Sequence, residues 1–438
     1  MEKEQPQRLG IYIHIPFCVK KCGYCDFLSF PAEEAWKEHY VKALCQEIQA
    51  GVPDWSKHVD AFGGLKSEDE LGIPQIVHAQ ARVSTIFFGG GTPSLLTGEQ
   101  IGQVINQIRQ EYPVAEDAEI TMEANPGTLT AESLRAYRQA GINRLSIGLQ
   151  SAQNEELRLL GRIHTWEEFF KNFRAARKAS FENINIDLMS ALPGQTLASW
   201  EDTLKKVLDL QPEHISAYSL ILEEGTPFYQ LYGGKGKGSP LPDSLLLPDE
   251  ETERRMYEVT EEYCRQAGLY RYEISNYARP GYECRHNCSY WQRIPYLGFG
   301  LGASSFWGEV RWRNQTDMIK YLRCWMPEEV DTVKELRRIE TIPIESNCEK
   351  EEAAGAWQEI EPLSPLDQMA ETMFLGLRMM EGIGEAEFYQ HFGQSMEQVY
   401  GKVLGKQEQL GLLERRDGRV RLTKYGIDVS NQVFWEYL

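Results

Sequence analysis

Between residues 11 and 221, short apolar runs rich in β-branched and aromatic residues alternate with longer amphipathic stretches. The runs are IYIHI (11–15), STIFFGG (84–90), EITMEA (119–124), NRLSIGL (143–149), NINIDLMSA (183–191) and HISAYSLIL (214–222). The stretches near 33–51, 98–111, 130–140, 166–180 and 199–210 carry apolar residues at helical spacing. Thr97, Thr130 and Thr165 stand where N-caps belong. Strand then helix, repeated along the chain, predicts a parallel sheet with helices outside it. Six units suit a partial (β/α)6 barrel, but the pattern alone does not separate that from a doubly wound sheet.

The rhythm breaks twice. Residues 52–82 read as a loop insertion, and LYGGKGKGSPLPDSLLLPDE (231–250) as a Gly-, Pro- and Lys-rich loop. A helix over about 250–267 follows, then a polar-aromatic segment (270–312) and an acidic insertion (344–362). The C-terminal residues predict helix, helix and a two-strand wing turning at Asp417-Gly418, an α+β, winged-helix-like pattern. Three parts are expected: 1–230 with the insertion at 52–82, a connecting segment 231–345, and a C-terminal domain 346–438.

Charge narrows the partners. The net charge is −19 with a pI near 5.0, which argues against broad nucleic-acid or anionic-membrane binding. Winged helices often bind DNA, but a fold does not establish a function, and nucleic acid is not an expected partner here. No apolar run reaches the roughly 18 residues of a membrane span. The start MEKEQPQRLG does not resemble a signal peptide, so a cytoplasmic location is expected. The nine cysteines then read as metal ligands or buried thiols rather than disulfides.

Three of them stand out in YIHIPFCVKKCGYCDF (12–27): Cys18, Cys22 and Cys25. A cubane iron–sulfur cluster has four irons, and three thiolates leave one open to a chelating small molecule. Structural zinc wants four closed ligands, and no further His or Cys lies nearby at finger spacing. A redox Cys-x-x-Cys at Cys22 and Cys25 is the other alternative.

With GGGTPS (89–94), EANPGT (123–128), SIGLQS (146–151), GRIHT (161–165) and DLMSALPGQT (187–196), this loop resembles the radical S-adenosylmethionine (SAM) proteins. Almost the whole chain is similar to the family of oxygen-independent coproporphyrinogen III dehydrogenase and the radical SAM haem chaperone. The resemblance implies a partial (β/α)6 radical SAM barrel with a C-terminal domain, and a [4Fe–4S] cluster on the three cysteines with SAM on the open iron. It implies that Tyr12 and Tyr24 line the SAM pocket, that Gly90, Gly91 and Thr92 hold the methionine end, and that Glu123, Gln150, Arg162 and Asp187 meet polar groups. Ile221 would pack near the adenine.

Within that family, the dehydrogenase pattern carries a further cysteine two residues after the third and a long N-terminal extension. Here Phe27 takes the cysteine's place and ten residues precede strand one. His286-Asn287-x-x-Tyr290-Trp291 matches a motif of the chaperone branch, which implies haem contact for His286. Without the resemblance, His286 reads as a hydrogen-bonded packing residue. Cys284 and Cys288 flank it, as idle thiols or as a second metal site. The expected function is a haem chaperone that binds [4Fe–4S], SAM and haem and delivers haem to an acceptor protein, one that could be membrane-associated. No catalytic residue is assigned, and a homodimer is left open. The alternatives are coproporphyrinogen III oxidative decarboxylation and a winged-helix nucleic-acid binder.

Overall fold

The computed structural model describes residues 7–52, 81–233, 245–327 and 356–438. Most of the expected insertion at 52–82, of the Gly- and Lys-rich loop and of the acidic insertion lies outside the described residues.

The six expected strands form parallel neighbours in one sheet: β1 (Gln7–Ile15), β2 (Ala81–Gly90), β3 (Val114–Ala124), β4 (Arg144–Gln150), β5 (Asn183–Ser190) and β6 (His214–Ser219). The first three begin earlier than their apolar runs. The first four residues of β3 are all at least partly exposed, so a reading based on burial misses them. β6 ends at Ser219, three residues short of the expected run. Helices Glu34–Ala50, Gly98–Glu111, Ala131–Ala140, Trp166–Lys178 and Leu197–Leu208 lie between the strands. Thr97, Thr130 and Thr165 cap three of them with reciprocal capping boxes. A further helix, Asn154–Leu160, was not foreseen. It is too short for periodicity to register.

The segment read as polar-aromatic is largely sheet. β7 (Tyr270–Glu273) and β8 (Asn276–Ala278) extend the sheet antiparallel beyond β6. At the other side β9 (Tyr296–Phe299) lies parallel to β1, followed by β10 (Ser304–Trp307), β11 (Val310–Asn314) and β12 (Trp357–Pro362). The last six residues of the expected acidic insertion thus form a strand. β1 pairs with β2 and β9, and β6 with β5 and β8, so among the described residues the barrel is not closed by hydrogen bonds. The sheet nevertheless curls. Tyr12, Phe87, Glu123, Ser146, Asp187 and Ser216, one from each of β1 to β6, face one internal cavity.

A second hydrophobic core, with Met373, Phe388, Leu404 and Val420 among its members, serves the C-terminal helices and the small sheet of β13 (Ile383–Gly384), β14 (Leu413–Arg416) and β15 (Arg419–Leu422). Asp417 and Gly418 both have positive φ, as the tight wing turn requires. The Glu371 carboxylate joins this region to the larger sheet, accepting from Arg311 at 2.8 and 2.9 Å and from Arg293 at 3.1 Å. The wing arginines Arg415, Arg419 and Arg421 are paired with glutamates.

Candidate functional site

The cavity inside the curled sheet measures about 230 Å³. Its wall is polar where an ordinary barrel core is apolar, because alternate residues of β3 to β6 turn Glu123, Arg144, Ser146, Asn185, Asp187 and Ser216 inward. Two carboxylates share this space. Burial, then the charge of Asp187, raises Glu123 to about 8. Asp187 is raised by burial too, against hydrogen bonds from Asn185 and Ser146. Arg144 supplies a buried cation whose Nε has no hydrogen-bond partner among the described residues.

The three cysteines sit on the loop after β1, whose Phe27 lines this cavity. Backbone bonds fix the loop's base: Cys18 N donates to Phe30 O at 3.0 Å, and Phe30 N to Pro16 O at 2.9 Å. All three thiols are partly exposed. Cys25 is held above its ordinary range, first by burial, with Cys18 and Cys22 adding to the rise against a backbone hydrogen bond at Phe27. Three thiolates gathered on one loop need a positive centre, and cubane iron supplies one. Among the described residues no three His, Cys, Asp or Glu side chains converge on a single-ion site. A cubane binds each thiolate through a different iron, so its ligands need no common point. The donor set fits a cluster better than zinc.

GGGTPS runs beside this loop. Gly91 N donates to Ile15 O at 2.8 Å and Thr92 N to Phe17 O at 2.7 Å. A Cβ on Gly91 would lie 2.7 Å from Phe17 O, so the two strand ends approach only as glycine permits. Thr92 Oγ1 is 3.5 Å from Cys18 Sγ. Gly90 has φ +105° and donates to Glu123 Oε2 at 3.1 Å. A Cβ there would strike the His14 ring at 2.4 Å. The glycine is therefore required by its backbone and by His14.

The other expected residues divide. Arg162 Nη2 donates to Gly148 O at 2.6 Å and its Nη1 lies 4.0 Å from Cys22 Sγ, with Nε buried and unpaired. Gln150, at φ +71°, accepts from Tyr218 Oη at 3.1 Å. Tyr24 packs edge-on to Phe228, 6.2 Å between centroids. Tyr12 lies nearly parallel to Phe87 and is 3.0 Å from His14 Nδ1. Ile221 stands apart: it follows β6 in a loop and is 69% exposed.

His286 is the second residue of helix Arg285–Trp291, which plugs the floor of the barrel. The ring is 1% exposed, with Nδ1 2.9 Å from Thr85 Oγ1 and Nε2 2.8 Å from Tyr290 Oη. Burial, then Arg144, lowers it to about 3. Both nitrogens are thus engaged, as in the packing alternative. Cys284 is fully buried and donates to Glu119 Oε1 at 3.6 Å. Burial raises its thiol, and that of Cys288 to about 12.

Tyr290 links this floor to a second space. An outer cleft of about 470 Å³ lies against the cysteine loop, and shares Tyr12, Phe27 and Tyr290 with the inner cavity. Trp291 and Tyr296 add aromatic walls, Arg311 and Arg313 add cations, and Leu375 comes from the C-terminal region. Sequence reading missed Arg144, Tyr296, Arg311 and Arg313. No motif marks them, although the alternation of ITMEA and RLSIG puts their polar residues on one face.

Residues 12–207 match the radical SAM superfamily, and residues 363–429 the HemN C-terminal domain. The chain is 34% identical to "Heme chaperone HemW" of Bacillus subtilis (strain 168), over 98% of each chain. It is 39% identical to the Escherichia coli (strain K12) protein of that name, over 67% of this chain and 69% of the relative. Among solved structures, coproporphyrinogen III oxidase (HemN) from Escherichia coli superposes with a TM-score of 0.73 at 22% identity, over 99% of this chain and 90% of that one. That likeness, at such low identity, carries the fold alone. The chain belongs to the radical SAM superfamily and, within it, to the family of the heme chaperone HemW.

Proposed function

We propose that this protein is a haem chaperone, holding a [4Fe–4S] cluster, SAM and haem and passing haem to an acceptor protein. One observation carries the reading: an aromatic cleft with two arginines lies directly against the cysteine loop, with Phe27, 66% exposed, on its wall. Flat apolar faces suit a porphyrin ring and arginines suit its propionates. Cys18, Cys22 and Cys25 hold the cluster. When bound and reduced, such a cluster supplies the electron that cleaves SAM to a 5′-deoxyadenosyl radical. Tyr12, Tyr24, Gly90, Gly91, Thr92, Glu123, Gln150, Arg162 and Asp187 form the SAM site. The carboxylates receive ribose hydroxyls or the ammonium, and Arg162 offsets negative charge near Cys22. Ile221 reaches the adenine only if its exposed loop folds inward.

Decarboxylation of coproporphyrinogen III is not favoured, since Phe27 has no thiol to move a proton or hydrogen atom. Nucleic-acid binding is disfavoured by the paired wing arginines. Among the described residues no helix is long and apolar enough to cross a membrane, in keeping with the proposed cytoplasmic location. We assign residues 1–230 to the radical SAM core, 231–345 to a connecting segment and 346–438 to the C-terminal domain, with the acceptor, membrane-associated or not, and a homodimer as matters for direct assay.

Anaerobically reconstituted protein, tested in parallel for haem binding and for decarboxylation, separates the readings. A Soret band growing on haem titration without protoporphyrinogen formation is expected. Steady turnover, with SAM cleaved in proportion to product, would sink the chaperone reading.

A further inference from the structure

We propose that Tyr290, not His286, is the axial ligand that holds haem iron in the outer cleft, as a phenolate with His286 as its hydrogen-bond partner. The inference rests on the chaperone reading above and names the contact that reading leaves open.

Access decides between the two residues. Tyr290 lines the cleft, whereas His286 is 1% exposed and lies flat on Phe87, with centroids 5.0 Å apart and planes at 21°. For its imidazole to reach iron, two buried hydrogen bonds, to Thr85 and Tyr290, would break. Tyr290 need break none, because its bond to His286 is kept when the phenol loses its proton. Other donors near the cleft are committed. His14 is bonded through both nitrogens, to Tyr12 Oη and Leu28 O. Tyr296 Oη accepts from Arg311 at 3.1 Å. Tyr12 pairs with His14 and sits under the cysteine loop. Cys284 is fully buried beneath the helix.

The surroundings suit the ring. Tyr290 meets Tyr296 edge-on at 4.6 Å, leaving aromatic faces toward the cleft. Arg313, with a side chain 39% exposed, can turn to a propionate. When ferric iron binds, the iron–oxygen bond forms and the phenol O–H bond breaks. One proton leaves to solvent through the open cleft. His286 stays neutral, with its Nε2–H donating to the phenolate and Thr85 Oγ1 donating to Nδ1. A carrier gains by this choice. Phenolate is a hard anionic donor that favours ferric over ferrous iron, so a one-electron reductant such as dithionite, with one proton returning to the phenolate oxygen, should weaken the bond, a lever that imidazole would lack.

The test is resonance Raman and absorption spectroscopy of ferric haem titrated into the reconstituted full chain. Phenolate ring modes and a phenolate-to-iron charge-transfer band are expected in the wild type, and both vanish with dithionite. Tyr290→Phe should lose them and bind ferric haem about tenfold more weakly or worse, with iron content of the cluster unchanged. His286→Ala should keep phenolate modes, shifted by the lost hydrogen bond. Wild-type spectra with imidazole or thiolate ligation alone overturn the assignment without any variant, as does Tyr290→Phe with unaltered spectrum and affinity. A wild type that binds no haem fells the chaperone reading and this inference with it. Haem bound without phenolate fells the inference alone.

Discussion

Glu119, on β3, grips His286 by its backbone. Its Oε1 accepts from His286 N at 3.2 Å and its Oε2 from Arg285 N at 3.0 Å, across more than 160 positions of sequence. The carboxylate thus caps the first turn of the motif helix, where unpaired N–H groups carry partial positive charge. One buried side chain sets both the floor of the inner cavity and the wall of the outer cleft.

Glu119→Ala should therefore act at a distance. It strands the amides of Arg285 and His286 and should cost about 1–3 kcal/mol of stability. Urea denaturation measures that loss. Haem affinity should fall as well, because Tyr290 shifts with its helix, while iron content stays. Unchanged stability would mean that water replaces the cap.

The cluster gives the sharpest numbers. Reconstituted wild type should hold about four irons per chain. Ala at Cys18, Cys22 or Cys25 should remove most of them, and Ala at Cys284 or Cys288 should remove none. Full iron in all three loop variants would end the cluster assignment.

For the SAM site, Gly90→Val is a poor probe, because its new side chain meets His14 and its φ suits only glycine. Fold and ligand would suffer together. Arg162→Gln is better: it removes the charge near Cys22 yet keeps a donor for Gly148 O. SAM affinity by calorimetry should drop about tenfold, roughly 1.4 kcal/mol, with cluster content retained. Equal affinity would restrict Arg162 to a loop-bracing role.

A pH effect should come from Glu47, far from the site. Its carboxylate joins helix Glu34–Ala50 to the β9–β11 side of the sheet, accepting from Gly300 N at 2.8 Å, Tyr321 Oη at 2.6 Å and Asn314 Nδ2. Burial raises it from 4.5 to about 7, against these hydrogen bonds. The folded protein holds a proton that the unfolded chain releases near 4.5. Its contribution is full below that pH and is lost as pH climbs to about 7. Denaturation midpoints should fall across this window, and Glu47→Gln should flatten the fall. A variant with the wild-type slope would move the effect to another group.

Much of this molecule could be read along the chain. Strand-and-helix alternation, threonine caps and the spacing of three cysteines are local properties, so the sequence by itself determined the six parallel units, their capped helices, the wing turn and the cluster loop. Family likeness added the chaperone branch through Phe27 and the histidine motif. Tertiary structure alone decided what depends on distant neighbours. The strands of 270–312 are short and polar on one face, and only pairing with β1 and β6 makes them sheet. That Gly90 must be glycine to clear His14 is visible only in the fold. That Thr85 and Tyr290 occupy the two nitrogens of His286 is likewise decided by tertiary contact. Which atom of a side chain is free is set by partners tens to hundreds of residues away, and no local pattern encodes that.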